Sequence, residues 1–156
     1  MNTLKESAKI LGKDFEGWSP LLVEESRNAG ANARVGSELL LESGVARIWS
    51  IDLKPGQRLP FHTHVLNYFW TVLTSGTARS HSSEGVTTEI EYRPGDTKHL
   101  HYRAGERMTH DLENVGKSNL VFVTVEFLQS DNAPLKLDAR PAFLDAAIAP
   151  TGHPRI

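Results

Sequence analysis

Two of the seven histidines, His62 and His64, stand two positions apart, shortly after the turn signal Pro55-Gly56. Side chains two residues apart in a strand face the same side of a sheet, so both imidazoles would project into one space. Imidazoles arranged in this way can share a divalent cation at about 2.0–2.1 Å from each nitrogen. The spacing therefore indicates a metal site, with two solvated side chains as the alternative.

The composition restricts the chemistry that such a site can support. The 156-residue chain contains no cysteine, so disulfides, thiolate zinc sites and cysteine nucleophiles are excluded, and only histidine and carboxylate ligands remain. The formal net charge is −2, from 17 Lys and Arg against 19 Asp and Glu, which gives no electrostatic reason to expect nucleic acid or an anionic membrane as a partner. A small-molecule ligand is therefore expected.

The chain carries no targeting signal that we recognise. Residues 1–7 lack the basic start and apolar run of a signal peptide, and no stretch approaches the roughly 20 apolar residues of a membrane span. A cytoplasmic protein without a membrane partner is expected.

Residues 38–130 alternate short apolar runs with turn signals, which is the pattern of an all-β sandwich or barrel. Helix signals are absent from this range. The predicted strands, apart from the one carrying the His62 pair, are Glu38–Leu41, Val45–Leu53, Tyr68–Leu73, Thr77–His81, Val86–Tyr92, Thr97–Tyr102, His110–Asn114 and Asn119–Leu128.

The last predicted strand has two unlike faces. One face is apolar and is expected to pack, whereas the other is mixed and is expected to line a cavity. The apolar face carries Val121, Val123, Val125 and Phe127, and the mixed face carries Phe122, Thr124 and Glu126.

The two flanking segments differ in residue pattern from the middle of the chain. Residues 1–37 are interpreted as an N-terminal arm, opening with a short helix that carries Leu4, Ala8 and Leu11 on one face. Residues 131–156 are interpreted as a tail with a short helix at Arg140–Ile148, acting as a lid or dimer arm. The strand edges of a small barrel and the apolar residues of these two segments would be exposed in a monomer, so a homodimer that buries them is expected.

The spacing Gly56, five residues, His62, one residue, His64, eleven residues, Gly76 resembles the first cupin motif. In that motif Gly is followed by five residues, His-x-His, three or four residues, Glu, six residues and Gly. The run Pro94-Gly95-Asp96, followed by His110 and Asn114, resembles the second motif, which contributes a third histidine.

The resemblance covers residues 38–130, and the short cupins that include the β-alanine degradation protein group are the suggested subgroup. It implies a double-stranded β-helix (cupin or jelly-roll) barrel with a divalent metal on His62, His64 and His110.

Two departures from the motifs bear on the site. The position of the motif glutamate holds Phe69, preceded by Tyr68, and fourteen residues separate Gly95 from His110 where the family has about ten. An enlarged hairpin must therefore be accommodated before His110.

A replacement ligand for the missing glutamate has two candidates. Glu126 is the first, although it could instead be a rim carboxylate paired with Arg47, and Asn67 is the second. Neither is assigned to the metal.

Further aromatic, histidine and carboxylate side chains are candidates to line the pocket. His99 and His101 form a second His-x-His pair, which either lines the pocket as acid–base groups or lies exposed on the outer face. The aromatic candidates are either wall residues or substrate contacts. His81, beside a serine-rich turn, is expected to be exposed. The full set of pocket candidates is Tyr68, Phe69, His99, His101, Tyr102 and Glu126.

Three neutral imidazoles without a carboxylate leave the charge of a divalent ion uncompensated and leave coordination positions open. Fe, Mn, Ni or Zn would suit such a site, and an anionic metabolite would bind it well. Thiol dioxygenases and diketone-cleaving cupins share this ligand set, so a mononuclear dioxygenase is one hypothesis. A non-catalytic metal or metabolite binder is a second. A metal-free sugar isomerase or epimerase is the third, with His62 and Tyr68 or Tyr102 as acid–base groups.

Overall fold

Apolar and polar residues alternate along short segments separated by turns, and in the computed structural model residues 8–137 form ten strands and one helix. The helix is α1 (Pro20–Asn28). The strands are β1 (Ala8–Gly12), β2 (Glu38–Glu42), β3 (Ala46–Leu53), β4 (Arg58–His64), β5 (Tyr68–Val72), β6 (Gly76–His81), β7 (Thr87–Tyr92), β8 (Thr97–Leu100), β9 (Met108–Asn114) and β10 (Leu120–Phe127). The structure describes residues 8–137, so the helix predicted at Arg140–Ile148 lies outside the described residues, as do Leu4 and His153.

The strands form two five-stranded sheets whose neighbours all pair antiparallel. One sheet has the order β1-β7-β6-β9-β4, and the other has the order β2-β3-β10-β5-β8. Each strand predicted between residues 38 and 130 has a counterpart, so the all-β architecture is confirmed. Within residues 8–137, no helix is long and apolar enough to cross a membrane.

The barrel core lies between the two sheets, where alternate side chains point inward. Leu120, Phe122, Thr124 and Glu126 are buried along β10, so the mixed face of this strand is the inner one. The valine face is partly buried on the outside of the sheet. The mixed face was expected to line a cavity, and Phe122 and Thr124 do so.

The core is rich in aromatic contacts at right angles. The rings of Trp70, Tyr92 and Phe122 meet edge to face at centroid distances of 5.0–5.5 Å. Such pairs add to the stabilisation that burial of the rings supplies.

The start of the chain extends the first sheet. The short helix predicted to carry Ala8 and Leu11 is wrong, because Ala8–Gly12 is a strand that pairs antiparallel with β7. This pairing gives hydrogen-bond partners to the backbone N–H and C=O groups along the edge of β7. These hydrogen bonds outweigh the local helical pattern. Helix α1 begins after Ser19, whose side chain accepts a hydrogen bond from the Leu22 amide at 3.2 Å, with Pro20 in the first turn.

The segment after α1 joins the barrel wall. Ala33 and Val35 are buried, and a Cβ on Gly36 would lie 2.7 Å from the Trp49 Cβ, so only glycine fits this approach. Residues 8–37 are thus packed on the barrel, and the division of the chain at residues 37 and 130 stays a prediction.

Candidate metal centre

Three histidines meet on the inner face of the first sheet. His62 and His64 share one side of β4, as their two-residue spacing predicts, and His110 on β9 pairs directly opposite His62. His62 and His64 are buried, whereas His110 is partly exposed. The enlarged hairpin before β9 therefore does not prevent His110 from joining the pair.

The distances within this cluster suit a single ion. The Nε2 atoms of His64 and His110 are 3.1 Å apart, and one nitrogen from each of the three rings lies within 4.8 Å of the others. Two nitrogens at about 2.1 Å from one ion are separated by about 3.0 Å at a right angle and about 3.4 Å at the tetrahedral angle. The cluster is therefore compatible with a divalent metal.

The hydrogen bonds of the rings leave nitrogen lone pairs available. The His62 Nδ1 lies 2.8 Å from the Pro60 carbonyl oxygen, which can only accept, so Nδ1 carries the proton and Nε2 is free to bind a metal. The His110 Nδ1 lies 3.5 Å from the Ser80 Oγ. The His64 Nδ1 is buried without a hydrogen-bond partner in the part of the chain that the structure describes.

The surroundings favour the neutral form of all three imidazoles. Burial lowers the pKa of His62 to about 4. Burial also lowers the pKa of His64 and of His110 well below the ordinary value, and the neighbouring rings of the cluster lower both further. Metal ligation requires neutral imidazole, so the cluster is in the ligating state at neutral pH.

A buried network of charged side chains stabilises β4 and β9, the two strands that carry the histidines. The Arg58 Nη1 lies 3.0 Å from the Glu25 Oε2 on α1 and 2.9 Å from the Asp111 Oδ2 on β9. The Phe61 amide, beside His62, donates to the Glu25 Oε2 at 2.9 Å. Helix α1 is thus tied to the Phe61 backbone next to His62 and, through Arg58, to the Asp111 side chain next to His110.

His81 belongs to this network, and the expectation that it is exposed is wrong. Its backbone amide and its Nδ1 both lie within 3.0 Å of the Asp111 Oδ1, and Trp18 packs edge to face on its ring at 5.0 Å. The N-terminal segment that carries Trp18 covers this position, which a reading of the local serine-rich turn could not reveal.

Two tyrosines support His64. The Tyr68 ring stacks on the His64 ring at 4.1 Å with an interplanar angle of 10°, and the Tyr102 ring lies parallel to Tyr68 at 6.2 Å. Both tyrosines are buried, and Tyr68 lines the cavity beside the histidines. The Asn67 Oδ1 accepts a hydrogen bond from the Tyr102 amide at 2.8 Å, so this side chain holds the backbone at Tyr102. Asn67 is outside the ligand cluster.

Of the six pocket candidates, Tyr68 lines the described cavity and the other five are not among its lining residues. Tyr102 and Glu126 are buried, whereas Phe69, His99 and His101 lie on the outside of the barrel. Tyr68 points inward on β5, so Phe69 points outward and packs on Phe127 at a centroid distance of 5.9 Å. His99 pairs with Phe69 across the edge strand β8, and both His99 and His101 are exposed. The parity of β8, which the sequence left open, is set by this register.

Glu126 lies inside the barrel but is not part of the ligand cluster. It is 3% exposed, and its Oε1 accepts a hydrogen bond from the Trp49 Nε1 at 2.7 Å. Burial raises the pKa of Glu126 to about 7, although the Trp49 bond opposes this shift. Arg47 pairs with Glu42 at 2.6 Å and, among the residues that the structure describes, forms no ion pair with Glu126, although its charge lowers the Glu126 pKa.

A cavity of about 60 Å³ opens beside the histidines. Since a buried water needs about 10–15 Å³, this volume holds several waters or a small organic molecule. Apart from the three histidines, the lining is apolar and aromatic, and its hydroxyl-bearing side chains are Tyr68, Tyr92 and Thr124. Its members are Val35, Ile51, Leu59, Tyr68, Trp70, Tyr92, Leu112, Phe122 and Thr124. Val35 comes from the segment interpreted as an arm, and no sequence signal placed it here.

Comparison with known proteins identifies the fold. Neither the family models nor the sequences of curated proteins give a match to this chain. Among solved structures, it is similar to a cupin domain from Bordetella pertussis Tohama I, with 20% identity and a TM-score of 0.50 over 58% of this chain and 88% of that chain. It is also similar to an uncharacterised conserved protein with a double-stranded β-helix domain from Klebsiella pneumoniae, with 24% identity and a TM-score of 0.48 over 75% of this chain and 90% of that chain.

The chain has the cupin fold, a double-stranded β-helix, so the fold that the sequence resemblance implied is confirmed. Its placement near the β-alanine degradation protein group stays a prediction.

Proposed function

We propose that His62, His64 and His110 bind one divalent transition-metal ion, and that the protein is a mononuclear metal-dependent enzyme acting on a small anionic molecule. The observation that carries this proposal is the convergence of three neutral imidazoles, two of them buried and one partly exposed, on the lining of a cavity. When bound, such an ion would supply Lewis acidity or, as Fe(II), oxygen activation beside the substrate. Fe, Mn, Ni and Zn all suit nitrogen ligands, so the metal is left to experiment.

The chain's own residues would orient the ligands and exclude water. The Pro60 carbonyl fixes the His62 ring, and the stacked Tyr68 ring restricts rotation of His64. The apolar wall, which includes Ile51 and Leu59, keeps bulk water from the open side of the cluster. With only nitrogen ligands, an anionic group on the substrate would provide the compensating charge.

A dioxygenase-like reaction agrees with this arrangement better than acid–base chemistry does. Burial raises the pKa of Tyr68 well above its ordinary value and that of Tyr102 to about 12, and it lowers the pKa of His62 to about 4. At neutral pH the two tyrosines are therefore poor acids and the imidazole is a weak base. These shifts disfavour the metal-free isomerase or epimerase, which needs groups that exchange protons near neutral pH.

A non-catalytic binding protein is the second candidate function. No Asp, Glu, Lys or Arg lines the cavity among the residues that the structure describes. A protein that only binds a metal or a metabolite needs no acid or base beside it, and the lining agrees with that.

Oxygen consumption distinguishes the two candidates. The full-length protein would be loaded with Fe(II) under nitrogen, and oxygen uptake would be followed with small enolates and thiols as candidate substrates. We expect uptake that is abolished in His62→Ala and retained in His99→Ala, a matched control because His99 is exposed and outside the cavity. A protein that binds metal but consumes no oxygen with any candidate would favour the binding function.

A further inference from the structure

The wall of the cavity contains features that select among small anions. Apolar side chains surround the space beside the histidines, namely Ile51, Leu59, Leu112 and Phe122. Apart from the tyrosines, Thr124 contributes the one hydroxyl of the wall. A ligand whose donor atom reaches the metal must place its remainder against these groups. A hydrocarbon remainder would gain free energy from this burial.

A positively charged group on the ligand would have no anionic partner in this wall. Within residues 8–137 no carboxylate lines the cavity, and the nearest inner-face carboxyl along β10, Glu126, is hydrogen-bonded to Trp49. Lys98, exposed on β8 and paired in register with Trp70, adds positive potential at His110. A buried ammonium group would therefore be both unpaired and repelled.

We propose that the metal centre takes a small oxygen-donor anion, a carboxylate or enolate, whose remainder is hydrocarbon and carries no ammonium group. This proposal rests on the proposed metal function and names its substrate class. It excludes free amino acids and other zwitterions as ligands. Their carboxylate would bind the metal, but their ammonium group would be buried against the apolar wall without a counter-charge.

Butyrate and β-alanine test this proposal as a matched pair, since they differ by a methyl group in place of an ammonium group. Both would be titrated into the full-length protein loaded with one equivalent of Co(II), and the change in the visible absorption of the metal would be followed. We expect butyrate to bind at least about 100-fold more tightly, because an unpaired charge is costly to bury. Equal binding, tighter binding of β-alanine, or no binding of either compound would overturn the proposal.

A substitution in the wall checks that the wall causes the discrimination. Thr124→Asp adds a carboxylate of similar size to the lining, and Thr124→Asn is its uncharged control. We expect Thr124→Asp to narrow the ratio of the two affinities at least about 10-fold, with little change in Thr124→Asn. An unchanged ratio in Thr124→Asp would contradict the proposed cause.

The two proposals fail in different ways in this experiment. If Co(II) does not bind the wild-type protein, the proposed metal function is wrong. If Co(II) binds and the ratio of affinities is near one, the metal function stands and the substrate class is wrong.

Discussion

Replacing Glu126 by glutamine tests whether this carboxyl is a buried neutral group or an ionised metal ligand. Burial raises its pKa from 4.5 to about 7, so the folded protein favours the protonated form and loses stability as the pH rises from 4.5 through about 7. A shift of about 2.5 units corresponds to about 3 kcal/mol once both states are ionised, which is an order-of-magnitude figure. Glutamine keeps an acceptor for the Trp49 Nε1 and never ionises.

Urea unfolding of the metal-free proteins would measure this effect. We expect the free energy of unfolding of Glu126→Gln, relative to wild type, to rise by about 2 kcal/mol between pH 5 and pH 8. Glu38→Gln, at an exposed glutamate, is the control and should show little change. The reasoning is refuted if the difference between Glu126→Gln and wild type is the same at both pH values, or if the substitution abolishes metal binding.

Four further results are expected. Glu25→Gln should lower the free energy of unfolding by about 1–3 kcal/mol in urea, because it weakens a charged hydrogen bond to Arg58 and the acceptor of the Phe61 amide, whereas exposed Glu24→Gln should not. Bound metal should be retained at about pH 6 and should dissociate as the pH falls towards about 4, because burial lowers the pKa of His62 to that value, and metal lost already on dialysis at pH 6 would contradict this. Without metal, the depressed pKa of His62 means that stability is lost as the pH falls from 6.5 towards 4. The predicted homodimer should give about twice the 17.3 kDa chain mass by light scattering, and a monomer would contradict it.

Strand periodicity and turn chemistry were sufficient to predict most of the barrel. The strands predicted at Glu38–Leu41 and Val45–Leu53 and the strand that carries His62 and His64 follow from local signals, and the structure contains all three. That His110 joins His62 and His64 was implied by the resemblance to the two motifs, and the register of β4 and β9 places it opposite His62. Local patterns were misleading at Ala8–Gly12, where pairing with β7 decides the conformation.

The remainder of the site depends on tertiary contacts that no local pattern encodes. Val35 reaches the cavity because the chain after α1 packs against β3. The close contact of Gly36 with Trp49 permits this approach. His81 is buried because Trp18, 63 positions earlier in the chain, covers it. Phe69 illustrates a third limit, since the motif alignment identified the missing glutamate but not that the side chain at this position faces outward.

The amount of metal bound per chain tests the central claim most directly. The purified full-length protein would be incubated with Zn(II) or Co(II), passed through a desalting column and analysed for metal and protein content. We expect about one ion per chain in the wild type and in His99→Ala, and much less than one in His62→Ala and His110→Ala. Equal metal content in all four proteins, or none in the wild type, would contradict a metal centre on His62, His64 and His110.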